Sequence, residues 1–328
     1  MIGACQTGTS RYREWGAGMK AVALTEFGDA DVLRVQELPD PVTGPDGVVI
    51  RVRAAGVNPV DYKIRAGYLK DAFPYHFPLI PGWDVAGEVV AVGPAVTRVA
   101  VGDAVMAYAR KDHIQWGTYA ELVRVREEAV APKPASLTFS QAAGLPLAGL
   151  TALQSLSAVD TGSGDLVLVH AAAGGVGHLA VQIARALGAI RVIGTASLRN
   201  HDFIRSLGGE PVEYGPDLPE RLAKVVGGDG RVDAVADYVG GQALEQSPAI
   251  VRSPRRHVSV VDPRSKEQGG RYVFVRPNGG QLKALGDLAD DGRLQVEISR
   301  EFPLEQAAEA HRLLEEGHVR GKVVLTVD

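Results

Sequence analysis

The sequence predicts an α/β protein built from two units. One is a compact, barrel-like β unit; the other is a doubly wound unit on a parallel sheet. Three observations carry this. From Met19 to about Leu147, short β-rich runs alternate with turn residues. From about Ala148, strands alternate with helices, the signature of a parallel sheet covered on both faces. Within that second stretch, "VHAAAGGVGHLAVQIARALGA" (169–189) reads as strand, glycine-rich turn and helix.

The elements follow in chain order. Residues 1–18 read as a loosely held extension, with an ordered interface arm as the alternative; they lack the apolar core of a secretion signal. The β unit opens at Met19 with "KAVALTEF" and continues through "GVVIRVRAAGV", "VAGEVVAVG" and "DAVMAYA". Breakers such as "PDPVTGPDG" and "PLIPGWD" separate these runs. "LTALQSLSAV" is helical. Strands are expected at 166–170, 191–195, 232–237 and 257–261. After about Asn278, "GGQLKALGDLADDG" and "LEQAAEAHRLLEEG" read as amphipathic helices, and "GKVVLTV" as a closing strand. Repeats and low-complexity tracts are absent from the sequence.

Bulk properties bound the function. The 328 residues suffice for two ordinary domains, and 45% hydrophobic with 23% charged residues is a soluble globular balance. A net charge of −4 gives no general attraction for nucleic acid or an anionic membrane. No apolar run approaches a bilayer span. The single cysteine, Cys5, excludes an internal disulfide framework and fits a reducing cytoplasm.

The glycine turn points to a phosphate. A dinucleotide fingerprint is G-x-G-x-x-G between a strand and a helix. Here Ala172, Gly174 and Gly177 hold the three places, with alanine in the first. Gly174 lets the backbone approach a pyrophosphate, and Gly177 lets the helix lie close to the strand. The phosphates would sit at the helix N-terminus, where N–H groups and the helix dipole favour anions. The competing reading is a tight turn without a ligand. The following helix carries an apolar stripe at Val176, Leu179, Ala180, Ile183, Ala184 and Leu187, and Gly188 ends it. A carboxylate about 20 residues beyond the turn would select NAD. The next strand ends in "TASLRN", with no Asp or Glu. Ser197 and Arg199 stand there, which suits the 2′-phosphate of NADPH; an exposed loop arginine is the alternative.

Several motifs in order now make the chain resemble the medium-chain dehydrogenase/reductase superfamily. It is similar to the zinc-independent quinone oxidoreductase and enone reductase branch. The motifs are "AAGVNPVDYKIRAG" (54–67), "PGWDVAGEVVAVG" (81–93), "GTYAEL" (117–122), "AGLTAL" (148–153), "HAAAGGVG" (170–177), "DYVGG" (237–241) and "GKVVL" (321–325). The likeness runs from Met19 to Asp328. It implies a GroES-like β-barrel catalytic domain, 19–147 and 279–328, with a Rossmann NADPH-binding domain, 148–278, inserted in it. It also implies cofactor contacts at Thr151, Gly175, Val176, Tyr214 and Val239, at Phe274, Val275 and Arg276 beside the nicotinamide, and at Lys322. Zinc-containing relatives carry Cys after "AGV" and His in "GHE"; Asn58 and Trp83 stand in those places here. The structural-zinc cysteines are absent as well, and none of the eight histidines has a metal-ligand spacing with Cys or a second His. No zinc is therefore expected.

Without a metal, another group must polarise the acceptor. Asn58 offers an amide N–H, Lys63 a cation and Tyr62 a phenol that lines the site or donates a proton. The resembling enone reductases carry a lysine at the Lys63 place, which points to an activated C=C. Three bland readings stand beside these: Asn58 as a turn cap, Asp61 as a structural cap, and Lys63 as an exposed barrel lysine. Trp83, Tyr68 and Phe73 are candidates for the substrate pocket or ordinary core; Asp84 is expected to be structural. The expected enzyme reduces a quinone or an α,β-unsaturated carbonyl, binds neither nucleic acid nor membrane, and forms a homodimer or homotetramer. A short-chain dehydrogenase is excluded, because its Tyr-x-x-x-Lys helix is missing and the glycine turn lies mid-chain. A non-catalytic NADPH-binding sensor on the same fold is the alternative from another class.

Overall fold

The computed structural model describes residues 18–328, so almost all of the 1–18 extension, with Cys5, lies outside the described residues. The architecture is the α/β one the sequence predicts. A six-stranded sheet has the spatial order Glu210–Val212, Arg191–Thr195, Leu166–Val169, Ala234–Asp237, His257–Ser259, Arg271–Tyr272. Every neighbouring pair in it is parallel. The first strand in sequence therefore lies inside the sheet, with the chain running outward on both sides of it. That reversal creates the crevice where doubly wound folds bind dinucleotides. The strand Leu166–Val169 is buried at all of its residues, as a strand covered by helices on both faces must be. Three strands stop or start one or two residues inside the expected limits; two end early at the crevice, and the third starts late, at Ala234, with Val232 in an isolated bridge to Val251.

The first unit is organised around one long strand, Gly47–Val57. It pairs antiparallel with Asp84–Val92 along most of its length. On its other side, its first half pairs with Leu122–Arg126 and its last residues with Lys322–Thr326. The C-terminal strand thus returns to the N-terminal unit, and Ile298–Pro303 extends the same sheet beyond it. This return places Lys322 beside the end of the long strand, where Asn58 begins the helix Pro59–Arg65.

The helix behind the glycine turn, Gly177–Ala186, is more buried than its apolar stripe predicts. His178 and Gln182, on the polar side of the stripe, are also buried. Gln182 donates from Nε2 to the Gln295 carbonyl at 3.0 Å and accepts the Gln295 N–H at 2.8 Å. The C-terminal segment covers the back of this helix, and the polar side chains satisfy that segment's backbone. Among the described residues, no helix is long and apolar enough to cross a membrane.

Candidate active site

The glycine turn is shaped by close packing. A Cβ on Gly177 would collide with the Ala171 carbonyl oxygen, so only glycine lets the helix start this close to the strand. Ala172, in the place of the first fingerprint glycine, is accommodated from the neighbouring strand: a Cβ on Gly194 would lie 2.6 Å from the Ala172 methyl. The pair Ala172–Gly194 exchanges the usual glycine for one on the next strand. His178 holds the turn from behind. Its Nδ1 lies 2.9 Å from the Gly174 carbonyl, and its Nε2 accepts the Glu297 N–H at 3.3 Å, so the proton resides on Nδ1. Gly174 is less crowded; a Cβ there would stand 3.3 Å from the Ala171 oxygen, a tight contact that needs only a small backbone shift. Two substitutions separate folding from binding. Gly177→Ala is expected to cost about 3 kcal/mol of stability. Gly174→Ala is expected to cost under about 1 kcal/mol but to weaken dinucleotide binding at least about tenfold, by keeping the pyrophosphate off the backbone. Urea unfolding and a binding titration check both; equal loss of stability in the two variants contradicts the assignment.

Two adjoining cavities continue from the turn. The larger, about 540 Å³, is lined by Gly174, Ser197, Arg199, Tyr214 and Val239 among others, and none of its lining residues is acidic. The smaller, about 220 Å³, is lined by Asn58, Gly174, Gly175, Val176, Gly177 and Lys322 among others. They share Ala171, Gly174 and Val319, so they form one groove running from Arg199 to Asn58 past the N-terminus of the Gly177–Ala186 helix. An anion there meets helix N–H groups and the positive end of the dipole. Arg199 is exposed and has no acidic partner among the described residues. Thr151 is buried and bonds back to its own helix, its Oγ1 donating to the Leu147 carbonyl at 2.6 Å. The segment Phe274–Val275–Arg276 lies along the Pro146–Ala158 helix. The Gln154 amide clamps it, donating to the Arg276 carbonyl at 2.8 Å and accepting the Arg276 N–H at 2.9 Å.

At the Asn58 end lies a buried polar cluster. Lys322 donates from Nζ to Asn58 Oδ1, and Asn58 Nδ2 donates to Asp84 Oδ2 at 2.9 Å. Asp84 Oδ1 accepts the Leu147 N–H at 2.7 Å, and Lys322 lies 3.8 Å from the same carboxylate. A cation on its oxygen side and an anion on its nitrogen side fix which way the Asn58 amide points. Asp84 is the only acceptor of its side-chain N–H groups among the described residues, and Asn58 lines the smaller cavity. Asp61 caps as expected, accepting the Asn58 backbone N–H at 2.8 Å, and it also accepts the Tyr119 hydroxyl at 3.1 Å. His311 Nε2 lies 3.2 Å from that hydroxyl. Burial pushes Asp61 up to about 7 and Asp84 to about 6, with Lys322 and the Asn58 amide pulling Asp84 back down. Burial lowers Lys322, against the pull of Asp84 and Asp61. Tyr119 and His311 carry no local sequence signal for this role; only the tertiary fold brings them under Asn58.

These buried groups set an acid sensitivity. Burial holds His170 and His178 down to about 4, and His311 to about 3. Between pH 6.5 and about 4 the unfolded chain takes up protons that these three refuse when folded, so stability is lost as pH falls. Asp61 and Asp84 act oppositely between about 4 and 7, because their folded forms hold protons the unfolded chain has released. With three groups against two, net loss on acidification is expected. His178→Gln removes one of the three and should shrink the stability difference between pH 6.5 and 5 by about 1.5 kcal/mol. An unchanged difference refutes the neutral, buried state of His178.

The other sequence candidates fall into two groups. Phe73 and Trp83 meet, ring centroids 6.2 Å apart, and Phe73 lies 6.0 Å from Phe274. That is one aromatic wall spanning the two units. Tyr68 is 76% exposed and stands outside it. Lys63 is exposed and Tyr62 half-buried, and neither lines the cavity that Asn58 lines. The helix Pro59–Arg65 buries Asp61, Ile64 and Arg65, the i, i+3, i+4 face, so positions 62 and 63 turn away. Zinc does not fit either. The Asn58 oxygen is taken by the Lys322 ammonium, Trp83 offers no lone-pair donor, and no group of three or more His, Cys, Asp or Glu side chains among the described residues is arranged to hold a metal ion.

Known proteins share this arrangement. Residues 44–135 match the alcohol dehydrogenase GroES-like domain, and residues 212–325 match a family described as zinc-binding dehydrogenase. The chain is 35% identical to an NADPH-dependent alkenal/one oxidoreductase of Arabidopsis thaliana, over 94% of this chain and 79% of that protein. It is 33% identical to a chloroplast envelope quinone oxidoreductase homolog of the same plant, over 94% and 99% of the two chains. The solved quinone oxidoreductase of Coxiella burnetii superposes with a TM-score of 0.83 at 39% identity, covering 94% of this chain and 99% of that one. With a crevice built to take a nicotinamide dinucleotide, the chain belongs to the medium-chain dehydrogenase/reductase superfamily, in its quinone oxidoreductase branch.

Proposed function

We propose that the protein is an NADPH-dependent, zinc-free reductase that transfers hydride to a quinone or to the C=C of an α,β-unsaturated carbonyl. The observation that carries this is the Asn58 amide, locked between Lys322 and Asp84 at the end of the dinucleotide groove. Ser197, Arg199 and Tyr214 suit the 2′-phosphate and adenine, Gly174 to Gly177 the pyrophosphate, and Thr151 and Phe274 to Arg276 the nicotinamide end. The absence of an acidic lining residue favours the 2′-phosphate over a bare ribose. Bound NADPH supplies the hydride.

The chain's own residues supply position and charge. Negative charge develops on the acceptor oxygen as hydride arrives. The free Asn58 Nδ2–H donates to that oxygen, and the Lys322 ammonium on Asn58 Oδ1 makes the amide a stronger donor. Phe73, Trp83 and Phe274 offer flat apolar faces to a conjugated acceptor and exclude water. Asp61 and Asp84 are fully buried and tune the cluster, so the completing proton comes from solvent. The single cysteine fits action in the cytoplasm. Assembly as a homodimer or homotetramer agrees with the sheet-edge strand Arg271–Tyr272, which pairs on one side only among the described residues.

The test is NADPH oxidation with a panel of quinones and enones, in the presence of EDTA. Turnover of at least one acceptor, unchanged by the chelator, is expected. NADPH binding without turnover of any acceptor would favour the sensor, and loss of rate or melting temperature in EDTA would contradict the zinc-free reading.

A further inference from the structure

One cation at the junction of the two units has no acidic partner among the described residues. Arg110 follows directly on the strand Ala104–Tyr108, whose last residue pairs with Asp84. Its guanidinium lies 5.3 Å from the centroid of the Phe274 ring, across the junction of the two units. Trp83 lies 6.1 Å from Tyr108, and Phe73 touches both Trp83 and Phe274. Arg110 therefore belongs to the aromatic wall next to Asp84. Its Nε is buried without a hydrogen-bond partner, and no carboxylate among the described residues pairs with it. Arginines with a structural role here are paired: Arg65 with Glu315, Arg191 with Glu210, Arg256 with Asp165. The hydroxyl of Tyr108, next to it, is also buried and unpartnered.

Resting on the reductase reading above, we infer that Arg110 is a specificity residue of the acceptor site, selecting acceptors that carry a carboxylate remote from the reacting double bond. A guanidinium is weakly hydrated and rests well on an aromatic face, which leaves its edge for a ligand. That edge presents N–H groups in a fork matching a carboxylate, and such charge-assisted bonds are about twice as strong as neutral ones. The aromatic faces take the conjugated part of the acceptor, Asn58 its carbonyl, and Arg110 the charged end. Nε, the donor of this guanidinium that is buried without a partner, becomes satisfied when that end arrives.

The experiment compares an enone ending in a carboxylate with its methyl ester, at saturating NADPH, in the full-length protein. The wild type is expected to favour the acid in kcat/KM by at least about tenfold, through KM. Arg110→Gln is expected to lower the acid-to-ester ratio about tenfold or more, and Arg110→Lys to restore part of it, since charge returns without the fork. If both substrates lose equally in Arg110→Gln, the residue is a latch between the units or a ligand of the reacting carbonyl, and the inference fails. A wild type that reduces the ester without favouring the acid also overturns it, while leaving the reductase reading intact. A wild type that reduces neither this pair nor any acceptor of the panel overturns both.

Discussion

Replacing Lys322 by methionine is expected to cost about 3 to 5 kcal/mol of stability at pH 8 and to remove most of the reductase activity. The ammonium is 3% exposed and lies 3.8 Å from Asp84, which is fully buried. Methionine fills the space and leaves the carboxylate without its cation. Asp84 already sits near 6 with Lys322 pulling it down, so in the variant it rises further. A buried acid whose folded form holds its proton too tightly loses stability as pH rises from its unfolded value through its folded one. The deficit of Lys322→Met must therefore be smaller at pH 5 than at pH 8. Adding Asp84→Asn should recover part of the loss, since the uncharged amide no longer needs a counter-ion. Activity responds for another reason: Asn58 loses the contact that fixes its oxygen, and its free N–H is no longer aimed. kcat should fall more than the affinity for NADPH. Urea unfolding at the two pH values and steady-state kinetics test this. A deficit below about 1 kcal/mol at pH 8 would show that the pair contributes little.

How much of this was legible depended on separation along the chain. The parallel sheet and its turn could be read because strand, glycines and helix are contiguous, and Gly177 is where the backbone demands it. Ser197 and Arg199 could be placed from their distance beyond that turn, and both line the larger cavity. Asn58 and Lys322 are 264 residues apart, and no pattern in either segment points to the other. Only the return of Lys322–Thr326 to the long strand joins them. Tyr119 and His311 meet in the same way, 192 residues apart. Lys63 is a different case. The apolar Ile64 and the capping Asp61 already set the inward face of their short helix, so the outward direction of Lys63 was present in the sequence. Arg110 had no motif at all. It follows a strand and touches a segment far along the chain, and its interest comes from the partners it lacks.

Arg199→Ala is expected to raise KM for NADPH about 10- to 100-fold and KM for NADH less than threefold, the range set by one charge-assisted contact to a phosphate. The two cofactors differ only in the 2′-phosphate, so the ratio isolates that group from everything else the groove does. In the proposed reading Arg199 stands at the adenosine end; it lines a cavity of about 540 Å³ with Ser197 and Tyr214, and no acidic side chain lines that cavity to hold a ribose diol. Tyr214 serves as the internal control. It is 53% exposed on the same cavity, and in the proposed reading its face meets the adenine common to both cofactors. Tyr214→Ala should therefore weaken both to a similar degree. The Arg199 effect should also shrink as salt is raised, because an exposed guanidinium–phosphate contact is screened within about 10 Å at 0.1 M ionic strength, whereas the Tyr214 effect should not. If Arg199→Ala shifts NADPH and NADH equally, the guanidinium does not read the 2′-phosphate. Discrimination would then rest on Ser197 and the backbone around it, and a Ser197 variant would show the cofactor split that Arg199 lacks.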